Sequence, residues 1–158
     1  MADSVIAYHA SVQGALSAFV PLTHFGSREA ALHRARGLAE TGQPVTLYEV
    51  RLVIGALRQI SDLPSGDRSA RHSWLRLADH LHYDTSPRVI SAQERDRILA
   101  AAAPAGSKSA AGITMLVAIL RARGIDTLAY ANRFEDPGSI SWIITDPAQV
   151  TIIRRSQL

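Results

Sequence analysis

The sequence predicts a mixed α+β domain, because strand-like segments stand at both ends of the chain and amphipathic helices lie between them. The chain has 158 residues, of which 47% are hydrophobic and 20% are charged, and this is the size and composition of one globular domain. The sequence contains neither an internal repeat nor a long linker. Residues 1–158 are therefore expected to form a single domain.

The elements of the first half are marked by alternating apolar residues and by capping residues. The apolar run 5–8 predicts a first strand. Ser27 is a typical N-cap for a helix that extends to about Glu40 and ends before Gly42. Residues 45–54 form the clearest strand, because alternate side chains are apolar and share one face: Tyr48, Val50, Leu52 and Ile54.

Three helices and three short strands are expected in the second half. The turn-rich segment 61–69 precedes a helix whose apolar residues recur at helical spacing: Trp74, Leu77, Ala78 and Leu81. Residues 91–94 read Ser-Ala-Gln-Glu, a capping box that opens a helix closed by Pro104 and Gly106. Gly124 stands where a glycine ends the third helix. Three strand-like runs follow: 125–130, 141–145 and 150–153.

Composition excludes several classes of protein. The chain has no cysteine, which excludes disulfides, a thiolate nucleophile and Cys-based metal sites. No apolar run approaches the roughly 20 residues that span a bilayer, and the first residues lack the order of a signal peptide. A cytoplasmic setting without a membrane partner is expected, with delivery as an effector left open. The net charge is +3 and the arginines are scattered, which gives little support for nucleic-acid binding.

Histidine spacing gives no strong prediction of a metal site. His72, His80 and His82 lie close together in the sequence, but residues i and i+2 of a helix point to different faces. No cysteine or carboxylate cluster accompanies them to complete a coordination shell. The sequence also lacks a Gly-x-Ser-x-Gly elbow and a glycine-rich phosphate loop. We therefore expect no metal. The absence of both motifs also leaves a serine hydrolase or a P-loop enzyme without support.

Three segments with polar residues lie at strand ends or in loops, where functional sites are usually found. Residues 8–11 read Tyr-His-Ala-Ser, residues 23–27 read Thr-His-Phe-Gly-Ser, and residues 132–135 read Asn-Arg-Phe-Glu and lead into Gly-Ser-Ile-Ser-Trp at 138–142. In this order and at this spacing they resemble the ADP-ribosyltransferase fold family. The resemblance is greatest to the small domains of phage and mobile-element polyvalent proteins and of bacterial effectors. It covers most of the chain.

This resemblance implies a split β-sandwich with flanking helices, which binds NAD as co-substrate in a cleft between two sheets. In such enzymes the histidine that ends the first strand bonds a ribose hydroxyl, and His9 matches it. The main chain of Ala10 would hold the nicotinamide carboxamide, and the hydroxyl of Ser11 would hold the ribose. The family's second motif supplies a tyrosine that stacks on nicotinamide. His24 stands at that place, followed by Phe25.

The resemblance also implies a glutamate that bonds the ribose and stabilises its developing positive charge. Ser141 occupies that place when the chain is aligned on the closing strand of poly(ADP-ribose) polymerases, so Glu135 in the preceding loop is the predicted catalytic carboxylate, assisted by Ser141. A carboxylate suits this role because cleavage of the nicotinamide–ribose bond passes through an oxocarbenium-like state. Arg133 and Arg51 are candidate partners of the pyrophosphate.

The function implied is transfer of ADP-ribose from NAD to a protein or nucleic-acid acceptor, as in a bacterial or phage toxin or effector. Three alternatives stay open. The first is an NAD glycohydrolase, in which water is the acceptor. The second is an RNA 2′-phosphotransferase-like enzyme, because such enzymes of this fold also use a second histidine. The third is a non-catalytic NAD- or ADP-ribose-binding module. This alternative is kept because Ser141 stands in the place of a carboxylate. The acceptor, the oligomeric state and the existence of a cognate inhibitor are left open.

Overall fold

The computed structural model describes residues 3–12, 14–62, 74–106 and 109–158, which form a mixed α+β structure with four α-helices and two β-sheets. The predicted α+β class is confirmed. In chain order the elements are β1 (Asp3–Ser11), β2 (His24–Phe25), α1 (Arg28–Ala39), β3 (Thr46–Ile54), β4 (Leu57–Gln59), α2 (Trp74–Tyr83), α3 (Ala92–Ala102), α4 (Ala110–Ala122), β5 (Thr127–Ala131), β6 (Ile140–Ile144) and β7 (Val150–Gln157). A single 3₁₀ turn, Pro147–Gln149, precedes β7.

The strands divide into a three-stranded sheet in the order β1-β3-β7 and a four-stranded sheet in the order β2-β6-β5-β4. The first sheet is antiparallel throughout, and its ladder between β3 and β7 shifts register between Glu49 and Val50. In the second sheet β4 pairs with β5 in parallel, and the other pairs are antiparallel. The first and last thirds of the chain therefore both contribute to each sheet.

Apolar side chains separate the sheets and the helices into layers. One buried cluster draws on both sheets and fills the space between them: Ala7, Phe19, Phe25, Tyr48, Val50, Leu52 and Ile144. A larger cluster joins α2, α3 and α4 to the second sheet through Leu128, Tyr130 and Ile143. A small cluster with Ala35 packs α1 against the first sheet. Helices thus cover a two-layered arrangement of strands.

The capping residues in the sequence begin and end the helices as predicted. Ser27 caps α1, and its side chain accepts a hydrogen bond from the backbone N–H of Ala30. Ser91 and Glu94 form the reciprocal capping box that opens α3. Gly124 stands directly after Arg123, the C-cap of α4, with a φ of +67°, a left-handed conformation that glycine adopts at no steric cost.

The structure differs from the sequence-based expectations mainly in short strands. β2 and β4 contain two and three residues and were not predicted, because a strand so short has no recognisable alternation. β1 and β7 extend beyond the predicted 5–8 and 150–153. The predicted turn-rich segment 61–69 lies mostly outside the described residues. No helix in the described part of the chain has the length and apolar character needed to cross a membrane.

Candidate ligand-binding site

The two sheets meet where β1 passes β2, at Tyr8 and Gly26. The backbone N–H of Tyr8 donates to the carbonyl of Gly26 at 2.9 Å, and the N–H of Gly26 donates to the carbonyl of Tyr8 at 3.0 Å. A Cβ atom on Gly26 would lie 3.1 Å from Oγ of Ser141 and 3.3 Å from Cβ of Ala30. The glycine therefore allows β1, β6 and α1 to approach one another closely.

A pocket opens at this junction and encloses about 740 Å³, including the part that is open to solvent. The pocket is lined by six of the nine site residues that the sequence predicts: His9, Ala10, His24, Phe25, Glu135 and Ser141. Ser11, Arg51 and Arg133 are not among its described lining residues. Side chains from four separate segments of the chain thus share one cavity.

His9 is held as a neutral imidazole with a defined tautomer. Its Nδ1 lies 2.8 Å from the carbonyl oxygen of His24. Because a carbonyl only accepts hydrogen bonds, Nδ1 carries the proton and Nε2 is an acceptor. The pKa of His9 is lowered to about 4, mainly because the ring is buried beside Phe19 and Phe25. The hydrogen bond to the carbonyl of His24 opposes this shift, and the charge of Arg34 contributes to it.

Glu135 is held in place by Asn132, a buried residue of the loop between β5 and β6. Nδ2 of Asn132 donates to Oε2 of Glu135 at 3.1 Å and to Oγ of Ser141 at 3.3 Å. The next residue, Asp136, accepts a hydrogen bond at 2.5 Å from the hydroxyl of Ser27, at the start of α1. The carboxylate of Glu135 therefore lines the pocket in a fixed loop.

Two residues that the sequence analysis did not single out also line the pocket. Tyr130 on β5 is buried, and its hydroxyl lies 3.2 Å from Nδ1 of His24. Arg34 lies on the exposed side of α1, one turn after the lining residues Ala30 and Ala31. Among the lining residues that the structure describes, it alone has a permanent positive charge. The helical spacing of 30, 31 and 34 was a recognisable pattern, but it identifies a pocket only once β1 and β2 are known to meet there.

The two arginines predicted to contact a pyrophosphate lie elsewhere. Arg133 is exposed, and its backbone N–H donates to the carboxylate of Asp62. Arg51 is exposed on β3, opposite Ile6 of β1. Neither is a described lining residue of the pocket, so Arg34 is the better-placed cation for an anionic ligand.

His80 and His82 bond neighbouring groups, and the described residues form no metal centre. Nδ1 of His82 bonds the carbonyl of Ile90, and both ring nitrogens of His80 have partners, at Asp84 and at Ser61. Both rings are buried. Of the three histidines in the predicted grouping, His72 lies outside the described residues. Within the described ranges, no group of three or more histidine or acidic side chains is arranged to hold a metal ion.

The fold and the pocket thus define a mixed α+β protein with a candidate site where its two sheets meet. Comparisons with protein-family models, with curated proteins and with solved structures found no match for this chain.

Gly26→Ala is expected to lower the free energy of unfolding by about 1–2 kcal/mol, because the new methyl group crowds Ser141 and Ala30. Gly37→Ala is the matched control. It lies inside α1 with nothing within 4 Å of the added Cβ, so it should raise stability by about 0.5–1 kcal/mol. Urea denaturation measures both values. Equal stability of the Gly26→Ala variant and the unaltered protein would show that the junction is not tightly packed.

Proposed function

We propose that this protein is an ADP-ribosyltransferase that uses NAD, and that its two sheets form the split β-sandwich of that family. One observation carries the proposal. His9, His24 and Glu135 come from distant parts of the chain, yet they line a single pocket where the two sheets meet. The proposal requires this convergence, because NAD must be held at the ribose and at the nicotinamide while a carboxylate faces the bond that breaks.

The hydrogen-bonding state of His9 fits the role that the resemblance gives it. Its unprotonated Nε2 accepts a hydrogen bond from a ribose hydroxyl, and its low pKa keeps that acceptor available at neutral pH. The main chain of Ala10, the next residue of β1, would bind the carboxamide of nicotinamide. The guanidinium of Arg34 at the rim supplies a positive charge for the pyrophosphate, in place of Arg133.

Glu135 provides the electrostatic part of the reaction. The nicotinamide–ribose bond breaks with its electron pair moving to the pyridinium ring, so nicotinamide leaves neutral and the ribose gains positive charge at C1′. A carboxylate beside the ribose stabilises that charge as it forms. The acceptor then bonds to C1′ and loses a proton. Asn132 holds the carboxylate by one oxygen before the ligand binds, which reduces the reorganisation needed during the reaction.

Incubation of the protein with NAD labelled in its adenylate part tests this function and separates it from the alternatives. Release of nicotinamide with label on protein or nucleic acid supports the transferase. Release with all label in free ADP-ribose indicates a glycohydrolase. NAD binding by calorimetry without nicotinamide release contradicts the enzyme and supports a binding module. A parallel reaction that contains a 2′-phosphorylated RNA identifies the phosphotransferase, because the label then appears in ADP-ribose 1″,2″-cyclic phosphate.

A further inference from the structure

The orientation of the Asn132 side chain is fixed by its neighbours in the loop. Its Oδ1 lies 3.1, 2.9 and 3.3 Å from the backbone nitrogens of Phe134, Glu135 and Asp136. Since a backbone N–H can only donate, the accepting atom must be the amide oxygen, and Nδ2 must point the other way as a donor. The contact from Nδ2 to Oγ of Ser141 is therefore an N–H that donates to the hydroxyl.

Because the Ser141 hydroxyl accepts a hydrogen bond from Asn132, it can act as the donor toward Tyr130. The two residues lie directly opposite each other in the β5–β6 ladder, so their side chains are on the same face of the sheet, and the Ser141 hydroxyl interacts favourably with the Tyr130 oxygen. Ser141 already accepts from Asn132, and its own proton is free to be donated to the Tyr130 oxygen. This arrangement leaves the phenol proton of Tyr130 for its other neighbour, Nδ1 of His24 at 3.2 Å.

The protonation of Tyr130 supports this direction. Burial raises the pKa of the Tyr130 hydroxyl well above its usual value, and the nearby charge of Glu135 raises it further, against the effect of the Ser141 hydrogen bond. The phenol therefore keeps its proton at neutral pH. A protonated hydroxyl that receives a hydrogen bond from Ser141 donates most naturally to an unprotonated ring nitrogen.

We infer that Asn132, Ser141 and Tyr130 form an oriented hydrogen-bond chain that fixes His24 as the tautomer protonated at Nε2. Tyr130 is then a positioning residue, which acts on a ligand through His24. The inference concerns the pocket to which NAD is assigned above. Its consequence for NAD rests on that proposed function, whereas the hydrogen-bond chain does not.

The two imidazoles then differ at Nε2, which is an acceptor of hydrogen bonds in one ring and a donor in the other. His9 is protonated at Nδ1, so its Nε2 accepts hydrogen bonds, whereas Nε2 of His24 donates them. The accepting Nε2 of His9 suits a ligand hydroxyl, such as one of a ribose. Both the carboxylate of Glu135 and the tautomer of His24 depend on the Asn132 amide.

Nuclear magnetic resonance of the ¹⁵N-labelled full chain, without NAD and at about pH 8, tests the chain of hydrogen bonds. Long-range ¹H–¹⁵N spectra distinguish a protonated ring nitrogen from an unprotonated one, and His24→Gln identifies the His24 signals by their loss. We expect His24 to be protonated at Nε2. In Tyr130→Phe, which keeps the ring but removes the donor, we expect a mixture of both tautomers. Tyr83→Phe, at an exposed position, is the control and should leave the His24 signals unchanged.

Protonation of His24 at Nδ1 in the unaltered protein, or a Tyr130→Phe variant that keeps the Nε2–H tautomer, would overturn the inference. If Tyr130→Phe does not fold, Ser141→Ala tests the chain one step earlier, and the Nε2–H fraction is again expected to fall. The outcome is separable from the proposed function. The expected tautomers in a protein that fails to release nicotinamide would support the hydrogen-bond chain and contradict the transferase.

Discussion

Glu135→Gln is expected to lower the rate of nicotinamide release from NAD by about 10²–10³-fold, the usual effect of removing one group that stabilises charge in a transition state. Glutamine keeps the size of the side chain and an oxygen for the Nδ2 donor of Asn132. It removes the negative charge that the proposed mechanism requires beside the ribose. The free energy of unfolding should change by less than about 1 kcal/mol, because the loop keeps its backbone bonds to the Asn132 oxygen.

The effect should appear in kcat rather than in the affinity for NAD, because the charge on the ribose develops only as the bond breaks. Steady-state kinetics of nicotinamide release, with NAD binding measured by calorimetry, separate the two. Glu40→Gln removes an exposed carboxylate at the end of α1, outside the pocket lining, and should retain full activity. An unchanged rate of nicotinamide release in Glu135→Gln would show that Glu135 is not the carboxylate that stabilises the transition state.

Acidification from pH 6.5 to pH 4 is expected to cost the protein about 3 kcal/mol of stability through His9 alone. The pKa of His9 falls from 6.5 to about 4 on folding, mainly because the ring is buried. In this interval the unfolded chain binds a proton that the folded chain does not. The part of the unfolding free energy that depends on a neutral His9 is therefore complete above pH 6.5, decreases as the pH falls, and is lost below about pH 4.

His9→Gln should remove this part of the pH dependence, so its unfolding free energy should fall less steeply between pH 6.5 and pH 4 than that of the unaltered protein. Urea denaturation at half-unit pH steps measures both curves. His33→Gln replaces an exposed imidazole on α1 and should keep the original slope. The comparison uses differences between variants because these isolate the contribution of the replaced residue. Parallel curves for His9→Gln and the unaltered protein would contradict a buried, neutral His9.

Much of the fold can be predicted from local sequence, because capping and alternation act over a few residues. Ser27, the Ser91–Glu94 box and Gly124 each define a helix end without reference to the rest of the chain. β2 cannot be found in this way. His24 and Phe25 become a strand only because they pair with Ile143 and Trp142, which lie more than 100 residues later in the sequence.

The candidate site was predictable in its residue types but not in full. His9, His24 and Glu135 stand at strand ends or in loops, where polar side chains are exposed to a ligand. Tyr130 has the sequence of an ordinary buried strand residue, and its contact with His24 depends on the order of strands in the second sheet. Arg133 is next to Asn132 in sequence, yet its side chain is exposed and outside the pocket lining, because the chain turns sharply at this point.

The loop between β5 and β6 is closed largely by its own hydrogen bonds. The N–H of Asn132 donates to the carbonyl of Ser139 at 2.8 Å, and the N–H of Gly138 donates back to the carbonyl of Asn132 at 3.2 Å. The geometry of Glu135 is thus encoded within eight consecutive residues rather than by strand register. A substitution within this loop can therefore change the acidic group without altering the pairing of the strands that carry His9 and His24.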